Sequence, residues 1–305
     1  MELAVQALEA PVRYSVRREV CRSSRISIGI PTYNGVERTG WLLQTLQRTT
    51  PREDVVLTLL DDGSSKADQR EGLVALAHQY DANCLTHPKN EGVTASWNDL
   101  VRFVDSEFSI LLNDDLFLTE RWLENLIYFL ENNECGAAAP NTLFCSYEDV
   151  TQLLRGEMVV PLHPHTRTRQ PALANQHSDE VPGCVMCALG CGFGFKRSVY
   201  DQLGDFDERT RQIYNESWLG TKAARDLKLP SFQIPAPRIW HLWGATFHAN
   251  PELRVTGSDR AAYESEFGGN FDVTRPKFMH GTMPPRIVKW IGPDGRPHEQ
   301  ELTVQ

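Results

Sequence analysis

The sequence predicts an α/β protein with a mostly parallel central sheet. Three observations predict it. Short apolar runs alternate with helical stretches of about 10 to 15 residues along the first half of the chain. One of these runs, in "DVVLTLLDDGSS", is continuously apolar, as suits a strand covered on both faces. Clusters of polar residues follow the runs where strands would end.

The elements follow in order. In "RISIGIP", Ile26, Ile28 and Ile30 alternate with small residues and stop at Pro31, as a strand entering a turn does. "VERTGWLLQTLQRT" carries Trp41, Leu42, Thr45 and Leu46 at helical spacing, and "DVVLTLL" is the next strand. "GLVALAHQY" places Leu73, Leu76, Ala77 and Tyr80 at i, i+3, i+4, i+7. "VTASWNDLVRFV" repeats that spacing with Trp97, Leu100, Val101 and Val104. "FSILL" is a strand, and "TERWLENLIYFLENN" is a helix with Thr119 as its N-cap. "GAAAP" opens another strand.

Beyond Pro140 the pattern loosens. Residues 146–182 are rich in Pro, His and polar residues and read as a long surface segment. "GCVMCALGCGFGFKRSVYDQLGDFDE" reads as an extended run and a short helix, and "ESWLGTKAARDLKL" as a helix. The remaining residues, from 251 on, read as an irregular extension rich in Pro and Gly.

The totals set limits. The 305 residues, 41% of them hydrophobic, suit one large α/β domain or two smaller ones. A formal net charge of -9 is unlike a general binder of nucleic acid or anionic membranes. No run of about 18 or more apolar residues predicts a transmembrane helix. The N-terminal stretch lacks the basic and apolar regions of a signal peptide. The seven cysteines are odd in number and scattered, which suits free thiols in a reducing, cytoplasmic setting. Cys184, Cys187 and Cys191 lack a second ligand pair at zinc-like spacing.

Ligands of parallel sheets bind beyond the carboxyl ends of the strands. "PTYNG", Asp61 and Asp62 of "LLDDGSS", and Asp114 and Asp115 of "LLNDDLFL" all fall at such ends and converge on one rim. Adjacent carboxylates repel unless water or a cation compensates them. A solvated turn accounts for one such pair alone. For several pairs on one rim, a hard divalent ion with oxygen ligands is the better fit.

"IPTYNG", "LLDDGSS", "NEGVTASWN" and "LLNDDLFL", followed by "LGDFDE" and a later His, resemble the family-two-like glycosyltransferases with the glycosyltransferase A fold. The resemblance covers roughly residues 25–250. It implies a single Rossmann-like catalytic domain over 25–250, with a nucleotide-binding half (25–140) and an acceptor-binding half (141–250). Residues 1–24 and 251–305 would be extensions. The activity implied is transfer of a sugar from a nucleotide diphosphate sugar, by default a UDP-sugar, to an acceptor hydroxyl on a glycan, a protein or a modified nucleic acid.

The resemblance also assigns roles. Pro31 and Tyr33 would line the nucleobase pocket, and Asp62 would accept a base N–H. Asp61 either shares that contact or caps the turn through Gly63 and Ser64. Asn90 either approaches the nucleotide or caps its own turn. Asp114 would face ribose or the metal shell. Asn113 stands where many relatives carry Asp, which leaves Asp115 as the direct ligand of Mn2+ or Mg2+. His241 would close the metal site, with His248 competing, and Trp243 would stack on a sugar or pack in the core. Glu216 stands where relatives place the catalytic base, Asn215 at the acidic position before it, and this favours an inverting displacement. Two other readings stand beside it: a nucleotidyltransferase acting on sugar phosphates, and a non-catalytic nucleotide- or sugar-binding module. The first normally needs a basic Gly-rich loop, and "PTYNGVER" follows the first strand instead.

Overall fold

The computed structural model describes residues 5–7, 13–15, 23–51, 53–155, 181–185, 191–242, 244–253, 257–268 and 283–304. Two short strands, β1 (Val5–Ala7) and β2 (Arg13–Ser15), pair antiparallel. β3 (Ser23–Thr32) buries Ile26, Ile28 and Ile30 against one layer of helices. α1 (Val36–Thr49), β4 (Val55–Asp61), α2 (Ala67–Gln79), β5 (Asn83–Thr86), α3 (Val93–Phe103) and β6 (Asp105–Leu112) continue the alternation. After β7 (Leu116–Phe117) come α4 (Trp122–Asn132) and β8 (Ala138–Phe144). A short α5 (Val150–Leu154) lies within the expected surface segment, whose residues 156–180 fall outside the described residues.

The later part of the sheet and its helices contain β9 (Gly183–Val185), β10 (Gly192–Lys196), α6 (Arg197–Leu203), α7 (Asn215–Lys222), β11 (Ser231–His241) and α8 (Ala245–Ala249). β5, β4, β3 and β6 run parallel, as expected of the central strands. β10 then enters antiparallel between β6 and β8, and β11 lies parallel to β8. Helices cover both faces, so the core divides into two large clusters. One packs α1, α2 and α4 against the sheet; the other packs α3, α6 and α7. Double coverage accounts for the apolar continuity of "VVLTLL".

Three expectations need correction. Thr119 does not cap α4: its hydroxyl bonds the Arg238 carbonyl, and left-handed Arg121 (φ 64) precedes the helix. The stretch expected as one helix from Glu216 is an α-helix that tightens no further but widens into a π-turn at Ala223–Leu227. The C-terminal extension is not irregular. It forms α9 (Ser258–Phe267) and a hairpin of β12 (Met283–Ile291) and β13 (Pro297–Val304). The hairpin buries Val288 and Trp290, roughly 1.5–3 kcal/mol each, and exchanges two hydrogen bonds between Lys289 and Asn133. Pro and Gly at its ends concealed the alternation within it.

Candidate active site

The carboxyl ends of β3, β4 and β6 meet the start of α7 and the end of β11 around one cleft of ≈ 230 Å³. Pro31, Tyr33, Asp62, Asn90, Asp114, Asp115, Glu216 and His241 all line it. Residues separated by more than 200 positions are thus brought to one place.

Asp62 is a hub. Its Oδ1 accepts from His87 Nδ1 (2.7 Å) and the Glu91 amide (2.8 Å). Its Oδ2 accepts from Asn90 Nδ2 (2.9 Å) and the Gly92 amide (3.0 Å). These donors fill the roughly four lone-pair sites of a carboxylate. A nucleobase N–H at Asp62 therefore has to displace a protein donor. His87, 1% exposed, also meets Asp99 Oδ2 through Nε2 at 3.0 Å. Burial alone would push the imidazole down; its bonds to Asp62 and Asp99 outweigh this and hold its pKa at about 9. The hub ties the loop after β4 to the loop before α3. At their junction Gly63 (φ 68) has no space for a side chain, since a Cβ would lie 2.1 Å from the Lys89 carbonyl carbon. Asp61 takes the capping role, its Oδ1 accepting from the Ser64 amide at 2.9 Å. Burial pushes its carboxyl up.

Asp114 is also engaged. Thr32 Oγ1 donates to its Oδ2 at 2.7 Å, and Arg38 Nη2 pairs with the same oxygen at 3.1 Å. Burial pushes the Asp114 carboxyl up against the pull of Arg38. Arg38 was missed from the sequence because a charged residue in an amphipathic helix reads as solvent-facing; here it is buried. Gly35 admits this cluster: a Cβ there would stand 2.0 Å from Asp114 Oδ2.

Asp115 differs. Its Oδ1 is buried, accepts no hydrogen bond, and lies 3.1 Å from His241 Nε2. The Leu242 amide bonds the Asp115 carbonyl at 2.9 Å, so the end of β11 fixes His241 beside it. His248 is exposed and is not in the cleft lining. Among the described residues no group of three or more His, Cys, Asp or Glu is placed to hold a metal. Asp115 and His241 fit a divalent ion that keeps its other positions for phosphate oxygens and water, as Mg2+ commonly does. Asp115 Oδ1 pairs with His241 Nε2 and accepts no hydrogen bond, while Asp62 and Asp114 in the same cleft are compensated by their own donors, so the Asp115–His241 pair is the part of the lining whose donor set suits a cation.

Glu216 stands half-buried in the first turn of α7, after left-handed Tyr214 (φ 67). Desolvation pushes its carboxyl up to about 7. Asn215, in the preceding position, is buried and bonds Thr94 Oγ1 at 3.3 Å, a structural contact. Asn113, Trp97, Cys191 and Thr246 also line the cleft. Asn113 and Trp97 belong to the quoted motifs "LLNDDLFL" and "NEGVTASWN", whereas Thr246 belonged to no pattern that marks such a role in sequence. Cys191 is a buried free thiol, as are Cys84, Cys135 and Cys145. Cys187 and Trp243 lie outside the described residues.

An α/β sheet with a parallel centre and a carboxylate-lined rim over its strand ends is the glycosyltransferase A class of fold. Residues 27–204, more than half of the chain, match the model of Glycosyl transferase family 2, and the chain belongs to that family. A search of curated proteins finds no match. Among solved structures, the chain is similar to GalNAc-T7 with UDP, GalNAc and Mn2+ at 14% identity and TM-score 0.56, covering 80% of this chain and 54% of that one. It is also similar to the mannosyltransferase PcManGT from Pyrobaculum calidifontis with GDP-Man and Mn2+, at 15% identity and TM-score 0.53, over 77% and 62%. S. aureus TarS 1-349 in complex with UDP-GlcNAc follows at 14% and 0.51, over 71% and 58%. The chain thus spans between 54% and 62% of these neighbours' own lengths. Among the described residues no helix is long and apolar enough to cross a membrane.

Proposed function

We propose that this chain transfers a sugar from a nucleoside diphosphate sugar, a UDP-sugar in the first instance, to an acceptor hydroxyl with inversion at the anomeric carbon. The observation that carries the reading is the meeting of Glu216, Asp115 and His241, from three separate segments, in one cleft. Residues 25–140 hold the donor and residues 141–250 present the acceptor.

Pro31 and Tyr33 bound the nucleobase end, and Asp62 with Asn90 shapes the loop beneath it. The acceptor oxygen attacks the anomeric carbon, and the new C–O bond forms as the bond to the diphosphate breaks. The bonding pair leaves with the diphosphate oxygen, and the acceptor's proton passes to a Glu216 oxygen. A carboxylate with a pKa near 7 suits this task, because a base works best when its pKa lies near the operating pH. Asp115 and His241 would hold Mn2+ or Mg2+, which when bound neutralises charge on the leaving diphosphate. Both named neighbours with a nucleotide and Mn2+ in their structures, GalNAc-T7 and PcManGT, share this fold.

Incubation with a panel of nucleotide sugars, with and without Mn2+, tests the reading. Release of nucleoside diphosphate is the expected product. Release of pyrophosphate from a nucleoside triphosphate and a sugar phosphate would mark a nucleotidyltransferase. Binding without any product would mark a non-catalytic module.

A further inference from the structure

The segment that presents Glu216 to the cleft is held by a helix beyond the family match. α9 begins at Ser258, well past residue 204. Its Asp259 is 3% exposed and faces the loop that leads into α7. Asp259 Oδ2 accepts from the backbone amides of Gln212 (2.6 Å) and Ile213 (3.0 Å). Charge-assisted bonds to two consecutive amides fix both position and direction of the chain. Ser258 Oγ donates to the other oxygen at 3.2 Å.

One turn later, Tyr263 repeats the grip from the other side. Its ring stacks on Tyr214, with centroids 5.3 Å apart and planes at 28°. Its hydroxyl lies 2.6 Å from Thr221 Oγ1, which is on α7 beyond Glu216. α9 therefore holds the loop before Glu216, the residue at the bend, and the helix after it. The bend needs such support. Tyr214 adopts the left-handed region, which strains a residue with a Cβ unless its surroundings over-determine it. Gln212 and Ile213 also line the cleft, so the same grip places the rim that an acceptor would meet.

We propose that Asp259, backed by Tyr263, is a positioning residue that sets the place of Glu216 and of the Gln212–Ile213 rim. The proposal rests on the reading of Glu216 as the base. Asp259→Ala in the full chain is expected to lower kcat for nucleoside diphosphate release ~10- to 100-fold, the scale of a small misplacement of a reacting group, while KM for the nucleotide sugar holds. Asp259→Asn keeps an acceptor oxygen for both amides and is expected to restore most of the loss. If Asp259→Ala does not fold, Tyr263→Phe takes its place: the ring stays, the Thr221 contact goes, and kcat falls with KM unchanged.

Hydrogen exchange over residues 208–218 supplies a readout independent of turnover. It is expected to quicken in the Asp259→Ala or Tyr263→Phe chain while β4 keeps its protection. An unchanged kcat in a folded variant, a loss confined to KM, an Asn variant as impaired as the Ala variant, or unchanged exchange over 208–218 would each overturn the proposal. If the unaltered chain releases no nucleoside diphosphate from any nucleotide sugar, the functional reading fails, and exchange alone decides whether α9 holds the segment.

Discussion

Asp62 and Asp115 look alike in sequence: each is the second of two adjacent aspartates at a strand end. Their surroundings separate them. Asp62 receives four protein donors and faces an imidazole held charged by two carboxylates. Asp115 keeps an oxygen with no hydrogen bond, beside His241 and in the same cleft as Glu216. The Asp62 carboxylate is saturated by its own protein; Asp115 Oδ1 pairs with His241 Nε2 and accepts no hydrogen bond. The surroundings of Asp62 are therefore built for rigidity. The side of the cleft with Asp115 and Glu216 is less compensated, and burial raises the Glu216 carboxyl.

Four experiments break or sharpen this contrast, the largest expected effect first. Glu216→Gln should lower kcat by about 10²- to 10⁴-fold, the range for a lost general base. The unaltered enzyme's kcat/KM should rise with pH through about 7 as Glu216 loses its proton, and this limb should vanish in the variant. The same variant should be more stable than its parent above pH 7. Because the folded pKa is raised, the unfolded chain releases this proton first, so ionisation costs stability as pH climbs from 4.5 to about 7. Thermal melts at pH 4 and pH 8 test this: a gain at both, or at neither, contradicts the assignment of Glu216 as a desolvated acid.

Asp62→Ala should cost about 3–5 kcal/mol in urea unfolding, since it leaves His87 buried without one partner. If that loss is absent and only nucleotide affinity falls, Asp62 belongs with Asp115 and the contrast fails. Asp115→Ala should reverse the pattern, with unfolding free energy nearly unchanged and kcat down ~10²- to 10³-fold, a few kcal/mol of lost charge stabilisation. The mildest effect is the pH dependence of stability contributed by His87. Its raised pKa means the contribution is full below about 6.5 and fades as pH rises through about 9, by on the order of 3 kcal/mol. His87→Gln should flatten that part of the curve.

Much of the stretch from β3 to β8 was legible because its signals are local. The helix expected over "VERTGWLLQTLQRT" is α1 with the same ends, and three strands stop where their polar clusters begin. Periodicity reports which face of an element is apolar, and strand ends report where a ligand can enter. What escaped is non-local. Arg38 reads as a surface charge until β6 brings Asp114 to it. Nothing around His87 announces a meeting with both Asp62 and Asp99. Asp259 lies more than 40 residues from the amides it receives, and the hairpin after it was obscured by prolines and glycines.

The buried thiols carry one more implication. Desolvation pushes Cys84, Cys135 and Cys191 up to about 12, and only the thiolate reacts readily with alkylating reagents. Cys84 lies on β5 and Cys135 in the loop after α4, both in the same core cluster, and Cys191 lines the cleft. Each reports on its own region: a brief pulse of iodoacetamide, read by mass, would record which part of the molecule opens first.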